Sequence, residues 1–470
     1  MHSRWRHCSL LILGGVALFS AALVAQAPLR RILSFSRAGT AYSAKVLCSG
    51  VLMAGMEADK IQREDLARGA QLIQTRIDRA RQKVEASALL GLVKGEAIRQ
   101  GNRGCSQQIA DQELTMLPPL PRPVGRDPSG TAQPWPISPD ASATPPRLNK
   151  TALEKALDQA FAETNKEQPK RTRAVVVVQS GWVVAERYGE GIRPDMPLIG
   201  WSMSKSLTHA LIGLAIRDGW MNLNDRPAIS AWSQPGDDRQ RIRVDHLLRM
   251  NSGLAFDETT GELESDLVRM ITQEADTGQF AASKPLVGRT GQDWAYASGS
   301  SNILSKALRT AMEDDQRYWR FPRQALFEPL GMHSAVLETD PSGTFVGSSL
   351  AWASARDWAK FGLLYLNQGR WNGTQLLPKD WVDHARSPSR GSKGRYGAHW
   401  WINRRLRKAD WPRDSFSAEG YEGQLILIAP SSDAVIVRLG QTPEKAGFDS
   451  NAFGARVLKA LASGSSRNQF

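Results

Sequence analysis

Ten of the chain's 25 prolines fall between Leu117 and Leu148 (LPPLPRPVGRDPSGTAQPWPISPDASATPP). Proline has no backbone N–H and a locked φ, so this stretch forms neither a helix interior nor a central strand. It reads as an extended linker or as a strap laid across a surface. It divides the 470 residues into a small N-terminal module at 38–116, or an elaboration of the main domain, and a large unit at 149–465. At roughly 150 residues per domain, the length allows two or three domains, or one large domain with an appendage. With 41% hydrophobic and 23% charged residues, the composition excludes wholesale disorder.

A net charge of +13 makes nucleic acid the first partner to consider. The excess sits at one end: +2 over residues 1–27, +7 over 28–150 and only +4 over the rest. A basic N-terminal part on a nearly balanced body fits a membrane-proximal segment better than a duplex-binding domain, so no nucleic-acid partner is expected. The first residues read as an export signal. Arg4 and Arg6 form a basic start, Leu10 to Ala25 is apolar, and Ala25-Gln26-Ala27 offers small residues for cleavage. Pro28 is an awkward neighbour for a peptidase, so residues 1–27 are either a signal peptide or an uncleaved membrane anchor. The expected location is periplasmic or otherwise exported, with inner-membrane association through residues 10–27 if the segment is retained.

Three cysteines fit this picture. Cys8 lies within the signal, which leaves Cys48 and Cys105 as an even pair in a chain bound for an oxidising compartment. A disulfide between them is predicted; the alternative is two unrelated buried thiols. No CxxC and no two histidines at zinc-ligand spacing occur, so no metal is expected. No P-loop or dinucleotide fingerprint occurs either, so no cofactor is expected.

The module's pattern suggests a helix near Glu57–Ile77 and short strands around Val84–Ile98. Beyond the linker, Leu153, Ala156, Leu157, Ala160 and Phe161 are spaced for one apolar helix face. Ala174–Val178, a turn at Gln179-Ser180-Gly181 and Trp182–Val184 read as a β-hairpin. A second hairpin joins Leu425–Ile428 to Val435–Leu439 through Pro430–Asp433, and a helix with Phe453, Val457 and Leu461 closes the chain. Strands at both ends with a helical, loop-rich middle predict an antiparallel sheet flanked by helices. A second, mostly helical lobe over the sheet edge would leave a cleft between the two.

The chemistry centres on Ser202-Met203-Ser204-Lys205, followed by the apolar stripe Leu207, Leu211, Leu214 and Ile216. A serine at a helix start and a lysine three residues on share one face. A buried ammonium loses pKa, and the neutral amine takes the hydroxyl proton while helix N–H groups receive the oxyanion. Alone the motif is weak, since such a composition yields on the order of one SxxK by chance, and its plain reading is an exposed lysine. Two further segments raise it. Tyr296, in Trp294-Ala-Tyr-Ala-Ser298, offers a phenol to relay a proton to the leaving group, and the hydroxyl of Ser298 a substrate contact; the plain reading of Tyr296 is a core tyrosine. Gly420-Tyr421-Glu422-Gly423-Gln424 precedes a strand whose edge can supply a second oxyanion N–H.

In this order the three segments resemble the serine β-lactamase and penicillin-binding-protein superfamily, nearest to class C β-lactamases and their esterase and 6-aminohexanoate-dimer hydrolase relatives. The resemblance spans about residues 150–465, with His246–Leu254, Ala355–Gly362 and Tyr396–Trp401 as further landmarks. It implies an α/β (α+β) fold with a five-stranded antiparallel sheet. It further implies Ser202 as acylated nucleophile, Lys205 as its base, Tyr296 as proton relay and Ser298 as the third residue of a Tyr-x-Asn/Ser element. The backbone N–H groups of Ser202 and Gln424 would form the oxyanion hole.

The family's Lys-Thr-Gly element, which grips a substrate carboxylate, aligns with Tyr421-Glu422-Gly423. That alignment leaves no cation at the spot, and an inward-facing Glu422 repels a carboxylate; the plain reading of Glu422 is a solvated turn residue. The sequence therefore predicts an exported serine hydrolase acting on an ester or short amide, one bearing an amine included, rather than on β-lactams. The alternatives are a β-lactamase, a D-Ala-D-Ala peptidase, or a vestigial envelope-binding protein of the same fold. A Ser-His-Asp hydrolase lacks its elbow, since Gly200-Trp-Ser-Met-Ser204 supplies only half of Gly-x-Ser-x-Gly. The 15 tryptophans hint at an aromatic-walled cleft, although core packing accounts for them equally well.

Overall fold

The computed structural model describes residues 31–66, 72–109, 114, 116–120, 135–262 and 264–462. The export-like segment and the centre of the proline-rich stretch lie outside these. The N-terminal module opens with helix α1 (31–47), which runs into a π-helical turn at Cys48–Met53, and a short α2 (Ala58–Glu64). Four strands follow, β1 (Gln74–Asp78), β2 (Lys83–Ala88), β3 (Val93–Arg99) and β4 (Cys105–Gln108), paired antiparallel in that order. The helix expected over Glu57–Ile77 is thus confined to its first third. Beyond it, Gln-Thr-Arg-Ile-Asp forms an edge strand whose charged, half-buried residues resemble a solvated helix surface when read as text. Cys48 and Cys105 form the expected disulfide, with Cα atoms 6.1 Å apart, and so tie the end of α1 to the start of β4.

The module shares one continuous apolar core with the rest of the chain, from Leu47, Val51 and Ala97 through Leu198 to Trp352. Polar ties reinforce it. The buried Lys45 ammonium lies 2.5 Å from the Glu338 carboxylate, which also accepts from Ser49, the Cys105 N–H and the Trp352 indole. Arg173 pairs with Glu64 and Asp65 at the end of α2. The described ends of the proline-rich stretch act as a strap: Leu117 N–H donates to Gln100, and Trp135–Pro136 (β5) pairs with Trp182–Val183.

The large unit contains α3 (Lys150–Phe161), β6 (Thr172–Gln179), β7 (Trp182–Tyr188), α4 (Met203–Arg217), α5 (Ser298–Met312) and α6 (Ala355–Leu366). It ends with β8 (Trp401–Ile402), β9 (Phe416–Gly420), β10 (Gln424–Ala429), β11 (Ala434–Gly440) and α7 (Ser450–Ala462). The main sheet has the order β8-β9-β10-β11-β6-β7-β5, antiparallel throughout. Five longer strands form its body, as expected, and a two-residue strand sits at each edge.

The run of valines in β6 shows no polar alternation because both faces are covered. Val175 and Val177 pack with Leu153 of α3 and Phe453 of α7, whereas Val176 and Val178 belong to the core beneath α4 and α6. Both hairpins form at the expected places. Among the described residues, no helix is long and apolar enough to cross a membrane.

Candidate active site

The chain enters the site through a strained turn. Gly200 leaves no room for a side chain, because a Cβ there would collide with the Trp358 ring, and Trp201 has a left-handed φ of +46°. Ser202 follows as the N-cap of α4, partly open to solvent, while the apolar stripe of α4 is buried. One turn on, Lys205 is 1% exposed. Its Nζ lies 2.9 Å from Ser202 Oγ, 3.0 Å from Ser298 Oγ and 3.1 Å from the Ser348 carbonyl oxygen. Burial lowers its pKa to about 8, while the charge of Glu258 pulls the other way.

Glu258 was not visible as a site residue in the sequence. It comes from a loop after the short Val244–Leu248 helix, and nothing in the text Phe-Asp-Glu-Thr-Thr marks it. Its carboxylate accepts from the Ser298 N–H (2.6 Å) and from Ser298 Oγ (2.5 Å). Burial raises its pKa, against the pull of the lysine. The direction of the network then follows from donor arithmetic. A carboxylate only accepts, so the Ser298 hydroxyl proton is committed to Glu258 and the Ser298 lone pair faces Lys205. A neutral lysine has two N–H bonds, and two acceptors await them, Ser298 Oγ and Ser348 O. Its lone pair is left for the hydroxyl proton of Ser202.

Tyr296 completes the cluster. Burial holds its pKa well above the ordinary phenol value, with the nearby Ser202 hydroxyl pulling the other way, and Lys205 Nζ lies 4.9 Å from its ring centroid. The ring stacks on Trp401 at 5.5 Å and meets Tyr396 edge-on at 5.8 Å, and Trp294 packs on Tyr396 at 5.6 Å. Three indoles thus line the site, since Trp201 flanks the serine, whereas Trp358 and Trp400 are core residues.

The segment Tyr421–Gly423 lies directly before a strand, as its sequence suggests, and takes the plain turn form. It forms the tight turn between β9 and β10, with Glu422 at φ +61° and Gly423 at φ +84°. Tyr421 meets Trp201 edge-on at 6.2 Å, so it borders the site. The Glu422 carboxyl is half-buried; desolvation and then Asp65 of the N-terminal module raise its pKa to about 8. The side chain of Gln424 is spent inside the hairpin, where its amide donates to the Tyr421 carbonyl and its oxygen accepts from the Gly440 N–H.

Gly420 is the residue that touches the serine's turn, because a Cβ on it would collide with the Gly200 carbonyl oxygen. Strand β8 pairs with β9 only at Phe416 and Ser417, so the outer edge from Ala418 to Gly420 has no strand partner among the described residues. A cation is close by after all. Arg407 lies 4.9 Å over the Trp401 ring, yet it is paired with Glu419, whose carboxylate also accepts from Ser417. Among the described residues no cluster of His, Cys, Asp and Glu could hold a metal.

Comparison with known proteins agrees with this architecture. The chain is similar to the 6-aminohexanoate-dimer hydrolase of Paenarthrobacter ureafaciens, 25% identical over 342 residues that make up 68% of this chain and 81% of that one. Among solved structures, EstCE1, a hydrolase with promiscuous acyltransferase activity, superposes with a TM-score of 0.52 at 14% identity, covering 66% of this chain and 97% of that one. The octameric penicillin-binding protein homologue from Pyrococcus abyssi gives 0.50 at 16%, covering 67% and 76%. The family model described as Beta-lactamase matches residues 157–460, more than half of the sequence, and the chain therefore belongs to the beta-lactamase family.

Proposed function

We propose that the protein is an exported serine hydrolase that cleaves an ester or a short amide through an acyl-enzyme on Ser202. The observation that carries this reading is the placement of Lys205 Nζ 2.9 Å from Ser202 Oγ with both of its N–H acceptors supplied by Ser298 and Ser348. Such an amine is aimed as well as desolvated, which is what general-base catalysis asks of it. Ser202 Oγ attacks the carbonyl carbon and passes its proton to Lys205. The oxyanion is received by the Ser202 N–H at the start of α4 and by an N–H on the outer edge of β9 near Gly420. Tyr296 hands a proton to the departing alkoxide or amine. Water then enters, gives a proton back through the same pair, and releases the acid.

Arg407 is neutralised by Glu419, Asp65 is paired with Arg173, and the raised pKa of Glu422, about 8, leaves that carboxyl largely uncharged at neutral pH. Arg407 is already paired, and Lys408 of the same pocket is bonded to the Ser450 hydroxyl, so this rim favours a neutral or amine-bearing group over a carboxylate. The similarity to a 6-aminohexanoate-dimer hydrolase supports the amide side of this reading, and the disulfide supports an oxidising compartment. A fluorophosphonate probe tests the chemistry: labelling that disappears in Ser202→Ala is expected, and its absence in the wild type refutes the acyl-enzyme. Turnover of p-nitrophenyl esters and aminoacyl amides well above that of a chromogenic cephalosporin is expected, and the reverse order overturns the substrate class.

A further inference from the structure

The β2–β3 hairpin of the N-terminal module ends in a four-residue loop, Leu89-Leu90-Gly91-Leu92, between the paired Ala88 and Val93. Leu90 is fully exposed and Leu92 is 86% exposed. Neither turn chemistry nor packing accounts for them. Leu89 and Leu90 both adopt left-handed φ, of +50° and +57°, where glycine, asparagine or aspartate is the ordinary choice.

The register shows what else lies at this end. Along α1, Lys45 reaches the Cys105 carbonyl, Ala41 accepts from Gln107, and Thr40 abuts Gly95. Because Cys105 pairs with Arg99 and Gln107 with Ala97, walking back along α1 means walking along β3 toward the hairpin loop. Five to eight further helical residues and three strand residues each span roughly 10 Å. Exposed Ile32 and Phe35 of α1 therefore sit level with Leu90 and Leu92. Gly39 touches Ile73, whose neighbour Leu72 is exposed and adjoins the Gln74–Ser87 pair, so Leu72 joins the same end.

The rim of this apolar cluster is basic. Arg31, Arg37 and Lys94 are exposed around it, and no Asp or Glu occurs in residues 31–39, 72–74 or 86–95. The same end is where α1 leads back toward residues 1–30, whose sequence contains the apolar run Leu10–Ala25. An apolar cluster whose nearest charged neighbours are the cations Arg31, Arg37 and Lys94, with Glu85 and Glu96 further along the strands and paired with Lys83, has the chemistry of an interfacial lipid contact.

We infer that this end of the module, with Leu90 and Leu92 at its tip, is a membrane-docking surface that inserts into an anionic bilayer. It adds a second lipid contact beyond the N-terminal segment and is independent of the catalytic reading.

The test uses the full chain with Cys8→Ser and a single label site, Leu90→Cys, carrying the polarity-sensitive fluorophore NBD. A control carries the label at Glu167→Cys, exposed near Arg171, which bonds to the far end of the module at Glu64. With vesicles of phosphatidylethanolamine and phosphatidylglycerol, the emission at position 90 is expected to shift to the blue and rise severalfold, while position 167 stays unchanged. Adding Leu89→Glu and Leu92→Glu is expected to abolish the shift without altering ester turnover in solution. Emission at position 90 that stays water-like in the presence of vesicles overturns the inference, even if the chain floats with them. Emission already blue without lipid also overturns it, because the chain's own apolar segment or a second copy then covers the tip.

Discussion

Two of the almost completely buried lysines among the described residues, Lys45 and Lys205, have opposite uses. Lys45, where the N-terminal module meets the main body, lies directly against the Glu338 carboxylate at 2.5 Å. Lys205 touches only neutral oxygens, with the Glu258 carboxylate one hydroxyl further away behind Ser298. Both lose pKa to desolvation, but contact with a carboxylate opposes that loss at Lys45, whereas Lys205 falls to about 8. One hydroxyl between cation and anion separates a structural ion pair from a base that is ready to titrate.

Four substitutions and a pH profile break or sharpen this contrast. The largest effect is expected from Lys205→Met, which should lower kcat/KM on an ester by roughly 10²–10⁴-fold while the chain still folds. Near-normal turnover would remove Lys205 from the chemistry. Lys45→Met should do the reverse. It leaves Glu338 buried without its cation and should cost about 3–5 kcal/mol of stability in a denaturant titration, with activity per folded molecule unchanged. In the wild type, kcat/KM should rise with pH through about 8 and then level off, since only neutral Lys205 accepts the proton.

Glu258→Gln tests the intervening hydroxyl. Removing the charge that raises Lys205 should move that midpoint to lower pH, and loss of the fixed Ser298 orientation should lower the plateau roughly tenfold, about the cost of one charged hydrogen bond. A lowered plateau with an unmoved midpoint would leave Glu258 as mere packing.

The smallest effect is expected at Glu422. Its carboxyl pKa is raised in the fold, so the stability it confers is complete below its unfolded pKa and is lost as pH rises to about 8. Glu422→Gln should therefore match the wild type at pH 5 and exceed it by about 1 kcal/mol above pH 8, after allowance for partial solvent exposure. Equal thermal midpoints at both pH values would show that the carboxyl is solvated.

The sequence made local things legible. Ser202 and Lys205 are one helical turn apart, and Val175–Val178 can hardly be anything but a strand covered on both faces. Tyr296 and Ser298 became legible through the order of the segments. What stayed hidden depends on distant chain: Glu258 reaches Ser298 across 40 residues, and Arg407 meets Glu419 from the loop between two strands. Neither has a periodicity or spacing that announces it. For Tyr421-Glu422-Gly423 the sequence left two readings open, a substrate-gripping element and a plain turn before the strand, because a Gly-rich pattern does not say which side of a hairpin it occupies. The pairing of Gly420 with Gln424 shows that these residues are the turn itself.

The continuity of the apolar core has a practical consequence for trimming. A fragment cut to the family boundary near residue 157 would present to water the faces of Leu198, Ile199, Leu350 and Trp352 that the module now covers, and would strand Glu338 without its ammonium. The described module from residue 31 onward thus shares its core with the main body, and laboratory versions of the protein should begin ahead of residue 31.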